Sequence, residues 1–207
     1  MTLVTYDIHN EAVAVLTFNR AEKMNALSTA LLQEFEAHLK QIEQDDALRV
    51  VIITGAGEKA FVAGADIGEY ANGSAQEFID YQLNSRRLFD YIEAFPKPII
   101  AAVNGYALGG GFEIALCCDV IIASDNARFG LPEGLLGLVP GGGGTQRLPR
   151  AVGRYVAADV LLSGRRLSGQ RAYELGLAAE VTELAALLDT ALKKAEYMLK
   201  VAPLAQA

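Results

Sequence analysis

The chain has 207 residues, 52% hydrophobic and 21% charged, values of a globular domain that exclude disordered, collagenous and low-complexity classes. Its formal charge is -7, from 25 acidic and 18 basic residues, which argues against a non-specific nucleic-acid or anionic-membrane binder, since both need a basic face. Glycine is the outlier, because 11 of the 20 fall between Gly105 and Gly144.

In chain order, residues 3–8 and 12–18 alternate apolar and polar side chains around His9-Asn10-Glu11, which predicts a β-hairpin. Ser28 then caps an amphipathic helix with Leu31, Leu32, Phe35, Leu39 and Ile42 on one face. RVVIIT at 49–54 is a continuous β-branched run, the pattern of a strand covered on both faces, and GAGEKAFVAGAD follows as a glycine-rich loop. Ser74 and Glu77 form a capping box for a helix through Phe95, stopped by Pro96-Lys97-Pro98. KPIIAAVNG reads as a buried strand, GGGFEIALCC as a short apolar helix and DVIIAS as a third buried strand. Beyond the Pro/Gly-rich segment 130–144, residues 153–163, 169–175 and 183–201 read as helices. The alternation makes the fold α/β, and the linear pattern by itself suggests a doubly wound sheet.

Several chemistries fail at the motif level. In GYALGGGFEIA, Ile114 stands where a dinucleotide fingerprint needs its third glycine, and PGGGGTQRL lacks the GK[ST] of a P-loop. No GxSxG elbow surrounds any serine. Cys117 and Cys118 are adjacent, and His9 and His38 are the only histidines, so no metal site is expected. The N-terminus has no signal-peptide pattern and no run of 18 apolar residues occurs, so a soluble, cytoplasmic protein is expected, with neither nucleic acid nor membrane as partner.

Two carboxylates stand in apolar, glycine-lined surroundings. Glu113 lies just inside the helix opened by Gly109-Gly110-Gly111, where an acid also suits the helix dipole. Glu133 follows Pro132 in a stretch almost free of charge, where it could equally be an exposed loop acid. As a pair they match acid–base chemistry on a neutral carbon skeleton, because burial raises a carboxyl pKa towards neutrality. Gly110 at a helix start and Ala65 in the AGAD loop each offer a backbone N–H, and two such donors converging on one oxygen form an oxyanion hole. Tight turns alone would also explain both loops.

FVAGADIGEY, KPIIAAVNGYALGGGFEIALCCDVIIAS, ARFGLPEGLLGLVPGGGGTQRLPRAVG and AYELGLAAEV, in this order, resemble the crotonase superfamily and within it the enoyl-CoA hydratases. The resemblance implies an α/β spiral of ββα units with C-terminal helices, and a spiral acyl-CoA-binding core over 1–182. Residues 183–207 would then begin a C-terminal helical region whose terminal trimerisation helices are truncated. It implies syn addition of water to a trans-2-enoyl-CoA, with Glu113 and Glu133 as catalytic acids and the N–H groups of Ala65 and Gly110 as the oxyanion hole. Gly141 would help position the water. Substrate and CoA contacts are implied at Asn25, Ala26, Leu27, Ala63, Ala65, Asp66, Ile67, Gly68, Tyr106, Leu108, Gly109, Gly110 and Pro132. Lys23 and Lys59 are candidates for the nucleotide phosphates, and Gly68 replaces a lysine common in the family. No metal and no cofactor beyond the coenzyme A thioester is implied, and the expected assembly is a homotrimer or a dimer of trimers. The alternatives within and beyond the family are an isomerase or dehydratase, and a non-catalytic acyl-CoA-binding subunit.

Overall fold

The computed structural model describes residues 2–70 and 74–206, with the side chains of Ile67 and Tyr70 outside the description. The chain opens with the expected hairpin, β1 (Val4–His9) antiparallel to β2 (Val13–Phe18). Its turn places Asn10 at φ 50° and Glu11 at φ 57°, the left-handed pair that matches the twist of a tight hairpin. Helix α1 (Thr29–Glu43) is capped by Ser28, whose hydroxyl accepts from the Leu31 N–H at 3.2 Å. It buries Leu31, Leu32, Phe35, Leu39 and Ile42, the face its sequence period defines.

From there the chain repeats one pattern: a strand in a long sheet, a shorter strand in a second sheet, then helix. The first repeat is β3 (Val50–Gly55), β4 (Ala60–Val62), α2 (Ile67–Tyr70) and α3 (Ala75–Glu93), the last begun by the Ser74–Glu77 capping box. The second is β5 (Ile99–Val103), β6 (Tyr106–Leu108) and α4 (Gly110–Cys117). The third is β7 (Val120–Ser124), β8 (Arg128–Gly130), a 3-10 turn (Pro132–Leu136), α5 (Gly144–Val152) and α6 (Arg154–Ser163). Then come β9 (Leu167–Ser168), α7 (Gly169–Glu174), β10 (Glu180–Thr182) and α8 (Leu187–Met198). This is the spiral of ββα units, and it replaces the doubly wound sheet suggested by the linear pattern.

Among the described residues the long sheet has the order β1-β2-β3-β5-β7-β10 and the second sheet β4-β6-β8-β9. Within β3 the pleat sends Val51 and Ile53 to one core and Val50 and Ile52 to another, so the β-branched run has no polar position. The first core lies between the long sheet, the second sheet and α1, α3 and α4. The second is closed by Leu187, Ala191 and Ala195 of α8, which packs on β3, β5 and β7 where Val50, Ile52, Ile100 and Ile122 are buried.

Two expectations about local structure need correcting. Helix α5 lies where no helix was expected, since Pro149 and the glycine run mask it; Pro149 sits inside it. The strands of the second sheet are two or three residues long, too short to show a period of two, and their segments read as loops.

Candidate active site

Strands β4, β6 and β8 run parallel, with Ala60 opposite Tyr106 and Leu108 opposite Gly130. Their carboxyl ends therefore emerge side by side, and each leads straight into a segment singled out in the sequence. After β4 comes Ala63–Asp66. Leu27 N–H donates to the Gly64 carbonyl at 2.9 Å, and Asp66 N–H to the Leu27 carbonyl at 2.9 Å. In extended backbone successive amides alternate sides, so the Ala65 N–H faces away from Leu27. After β6, Gly109 turns the chain at φ 51° and ψ -126° and Gly110 begins α4 with one of the orphan N–H groups of a helix start. Neither the Ala65 nor the Gly110 N–H donates to any group among the described residues. The two segments are in contact, since a β-carbon at Gly109 would lie 3.8 Å from the Gly64 α-carbon.

Glu133 reaches Gly109 directly, and Glu113 lies on the helix that Gly109 opens, with its carboxylate at the Gly142–Gly144 turn. Glu113 follows one helical turn later, with its N–H on the Gly109 carbonyl at 2.9 Å. Its carboxylate is 3% exposed as a residue and accepts from the Gly144 N–H at 2.8 Å, while the Gly142 N–H faces it as well. Burial pushes this carboxyl above its usual range, opposed by those two amides and the Arg147 guanidinium. Glu133 comes from the 3-10 turn after β8, and a β-carbon at Gly109 would sit 2.9 Å from its Oε1. Only glycine lets this carboxyl approach so closely. Its Oε2 is buried with no hydrogen-bond partner among the described residues. Burial, reinforced by the Glu113 charge, pushes Glu133 up to about 7. The two acids are thus separated electrostatically, one supported by amide donors and the other poised to hold a proton at neutral pH.

The remaining expected residues divide. Ala63, Leu108 and Pro132 stand at or just beyond the same three strand ends. Asn25 is fully buried: it gives both amide hydrogens to the Ala56 and Ala60 carbonyls and accepts from Arg20 N–H, so its side chain ties its turn to the segment that leads from β3 into β4. Leu27 is buried beneath Gly110, and Ala26 passes its carbonyl to Arg20. Asp66 pairs with Arg20 at 2.8 Å, which holds its carboxyl below the usual range, and its other oxygen accepts from Gly68 N–H. The Ile67 side chain lies outside the described residues. Tyr106 lies under the Arg166 guanidinium, 5.2 Å from the ring centre. Lys23 and Lys59 are exposed. Gly141 is exposed beside Gln82, and the amides of that turn that face Glu113 belong to Gly142 and Gly144.

Sequence reasoning missed Arg147 and Phe89. Phe89 of α3 closes on Gly142, and Arg147 joins α3 to the glycine turn. Both connections link segments over 50 residues apart, a distance no local pattern spans. A groove of about 560 Å³ also opens between α1 and α3, lined by Leu32, Glu36, Phe78 and Tyr81 among others. Neither glutamate lines it. Among the described residues no group of three His, Cys, Asp or Glu side chains is placed to hold a metal ion. Nor is any helix there long and apolar enough to cross a membrane.

A spiral of ββα units whose short sheet ends in a pair of outward amides, a buried Glu113 and a half-buried Glu133 defines a crotonase-type protein. The sequence pattern of the enoyl-CoA hydratase/isomerase family matches residues 8–207, and the chain belongs to that family. It is 45% identical to the short-chain-enoyl-CoA hydratase of Clostridium acetobutylicum over 93% of this chain and 74% of that protein. It is also 45% identical to the 2,3-dehydroadipyl-CoA hydratase of Escherichia coli, over 94% of this chain and 75% of that one. The crystal structure of an enoyl-CoA hydratase from Bacillus anthracis superposes with a TM-score of 0.95 at 42% identity, covering 97% of this chain and 78% of that chain.

Proposed function

We propose that the protein is an enoyl-CoA hydratase, adding water to a trans-2-enoyl-CoA to give a 3-hydroxyacyl-CoA. The observation that carries this reading is the unequal, electrostatically interacting pair Glu113 and Glu133, beside two backbone amides without acceptors among the described residues. The thioester carbonyl lies between the N–H groups of Ala65 and Gly110, which draw electron density from C3. Glu113, oriented by the Gly142 and Gly144 amides, takes a proton from water as its oxygen attacks C3. The charge moves through C2 to the thioester oxygen, where each donor is worth about 2.7–4 kcal/mol of transition-state stabilisation. Glu133, which holds a proton near neutral pH, delivers it to C2 from the same side, giving syn addition. Gly141 flanks the water at the solvent end of the glycine turn. Each proton and charge is handled by a group of this chain, so the reading needs no metal or redox cofactor.

The same proposal seats coenzyme A along Ala63–Gly68, Ala26 and Leu27, with Tyr106, Leu108 and Pro132 around the thioester. It assembles copies of the chain as a trimer or a dimer of trimers. Supporting this, Leu135, Leu136, Leu138 and Val139 are exposed in sequence, with Leu162 exposed on α6 nearby. Residues 1–182 act as the catalytic core. A cytoplasmic location rests on two neighbouring cysteines that are unpaired.

The test is turnover of crotonyl-CoA, followed as loss of the conjugated enoyl-thioester absorbance. Glu113→Gln and Glu133→Gln are each expected to lower kcat by about 10²–10⁴-fold with the circular dichroism spectrum unchanged. Near-full activity in either variant, or tight crotonyl-CoA binding without turnover by the wild type, overturns the reading.

A further inference from the structure

Arg147 stands in a costly place. It lies in the first turn of α5, where the helix dipole disfavours a cation. Its side chain is only 11% exposed, and its Nε is buried with no partner among the described residues. A local rule broken at this cost points to a function elsewhere. Its fork reaches in two directions. Nη1 donates to the Gly142 carbonyl at 2.6 Å, while Nη2 donates to Asp90 at 3.0 Å and Glu93 at 2.7 Å, both on α3. The residue whose carbonyl it clamps is the one whose N–H faces Glu113, and Gly144, whose N–H donates to that carboxylate, begins the same helix. Gly143, between them, has φ 100°, and a β-carbon there would run into Nη1. The glycine run therefore follows the guanidinium as well as the carboxylate.

We propose that Arg147 is a positioning residue: braced against Asp90 and Glu93, it holds the Gly142–Gly144 turn so that its amides address Glu113 in the geometry needed to orient water. The proposal rests on the hydratase reading above for its catalytic consequence, and on geometry alone for the state of Glu113. A planar, two-sided donor is required, because a lysine ammonium cannot reach the Gly142 carbonyl and both α3 carboxylates in one fixed plane. The charged or titratable groups facing Glu113 are Arg147 from α5, Cys117 from its own helix and Glu133 from the 3-10 turn.

The experiment compares wild type, Arg147→Lys and the double variant Asp90→Asn/Glu93→Gln, whose substituted side chains are more than half exposed and leave the core intact. For Arg147→Lys, kcat on crotonyl-CoA falls by about 10²-fold, the cost of a misplaced catalytic group, while KM stays within about two-fold because the strand-end amides are untouched. The acid limb of the kcat–pH profile moves to higher pH in both variants, as Glu113 loses its support. A change confined to KM, or an unchanged kcat and acid limb, overturns the proposal. The Glu113 side-chain titration, read by carbon NMR on glutamate-labelled free protein, gives the same answer without turnover: it shifts upward in both variants if Arg147 acts as proposed and stays put if it does not. An inert wild type would overturn the hydratase reading alone and leave this titration to decide the role of Arg147. If Arg147→Lys does not fold, the α3 double variant provides the same readouts.

Discussion

Glu133 shows how one side chain carries opposite demands of folding and chemistry. Its carboxyl binds a proton more tightly in the folded chain, where burial moves it from an ordinary value of 4.5 to about 7. The sign follows directly: its contribution to stability is fully present below the ordinary value and is lost as pH rises towards about 7. Glu133→Gln removes the ionisable group while keeping the shape. The variant is therefore expected to melt above the wild type at pH 8, with the difference closing as pH falls to about 4.5. Thermal denaturation at the two pH values checks this, and an equal difference at both would mean that Glu133 titrates normally. The wild-type activity should fall as pH rises through about 7, since the proton lost there is the one proposed to reach C2.

At the scale of elements, the site depends on how helices begin. Helix α4 presents the Gly110 amide because its first turn has no side-chain cap, whereas α3 is started by a complete capping box. In that box the Ser74 N–H donates to Glu77 at 2.6 Å, and the Glu77 N–H donates back to the Ser74 hydroxyl at 3.3 Å. Ser74→Ala should cost about 1 kcal/mol in chemical denaturation and leave crotonyl-CoA turnover near wild type, because the cap lies at the far end of α3 from Phe89, Asp90 and Glu93. A large loss of turnover instead would show that the start of α3 is coupled to the glycine turn.

Across the whole molecule, the two sheets are fastened by aromatic contacts. Phe61 of β4 meets Phe18 of β2 edge-on at 5.8 Å, and Phe18 in turn packs on Phe35 of α1 at 4.9 Å. All three are fully buried. Phe61→Ala should destabilise the chain by about 3–5 kcal/mol, measured by urea denaturation. Because β4 leads into Ala63–Asp66, the same variant should lose more activity than its remaining folded fraction explains. Activity that tracks the folded fraction would mean that the strand end keeps its place without this contact.

Much of this was legible in the chain. The hairpin, α1 with its cap and buried face, the capping box of α3 and the three buried strands of the long sheet all follow from period, capping chemistry and β-branched runs, which are local. So did the candidacy of Glu113 and Glu133, since acids in apolar, glycine-rich sequence are visible as such. The second sheet was not legible, because strands of two or three residues carry no period and pair only with strands distant in sequence, such as Ala60 with Tyr106 and Tyr106 with Arg128. Nor could the sequence show that Asn25 ties its turn to Ala56 and Ala60, that the Gly142 and Gly144 amides address Glu113, or that Arg147 ties the turn to α3. The sequence by itself determined which residue types could do the chemistry and which elements would form. Only the tertiary structure decided their meeting at the carboxyl ends of β4, β6 and β8, because convergence is a property of parallel strand ends and long-range packing, which no local pattern encodes.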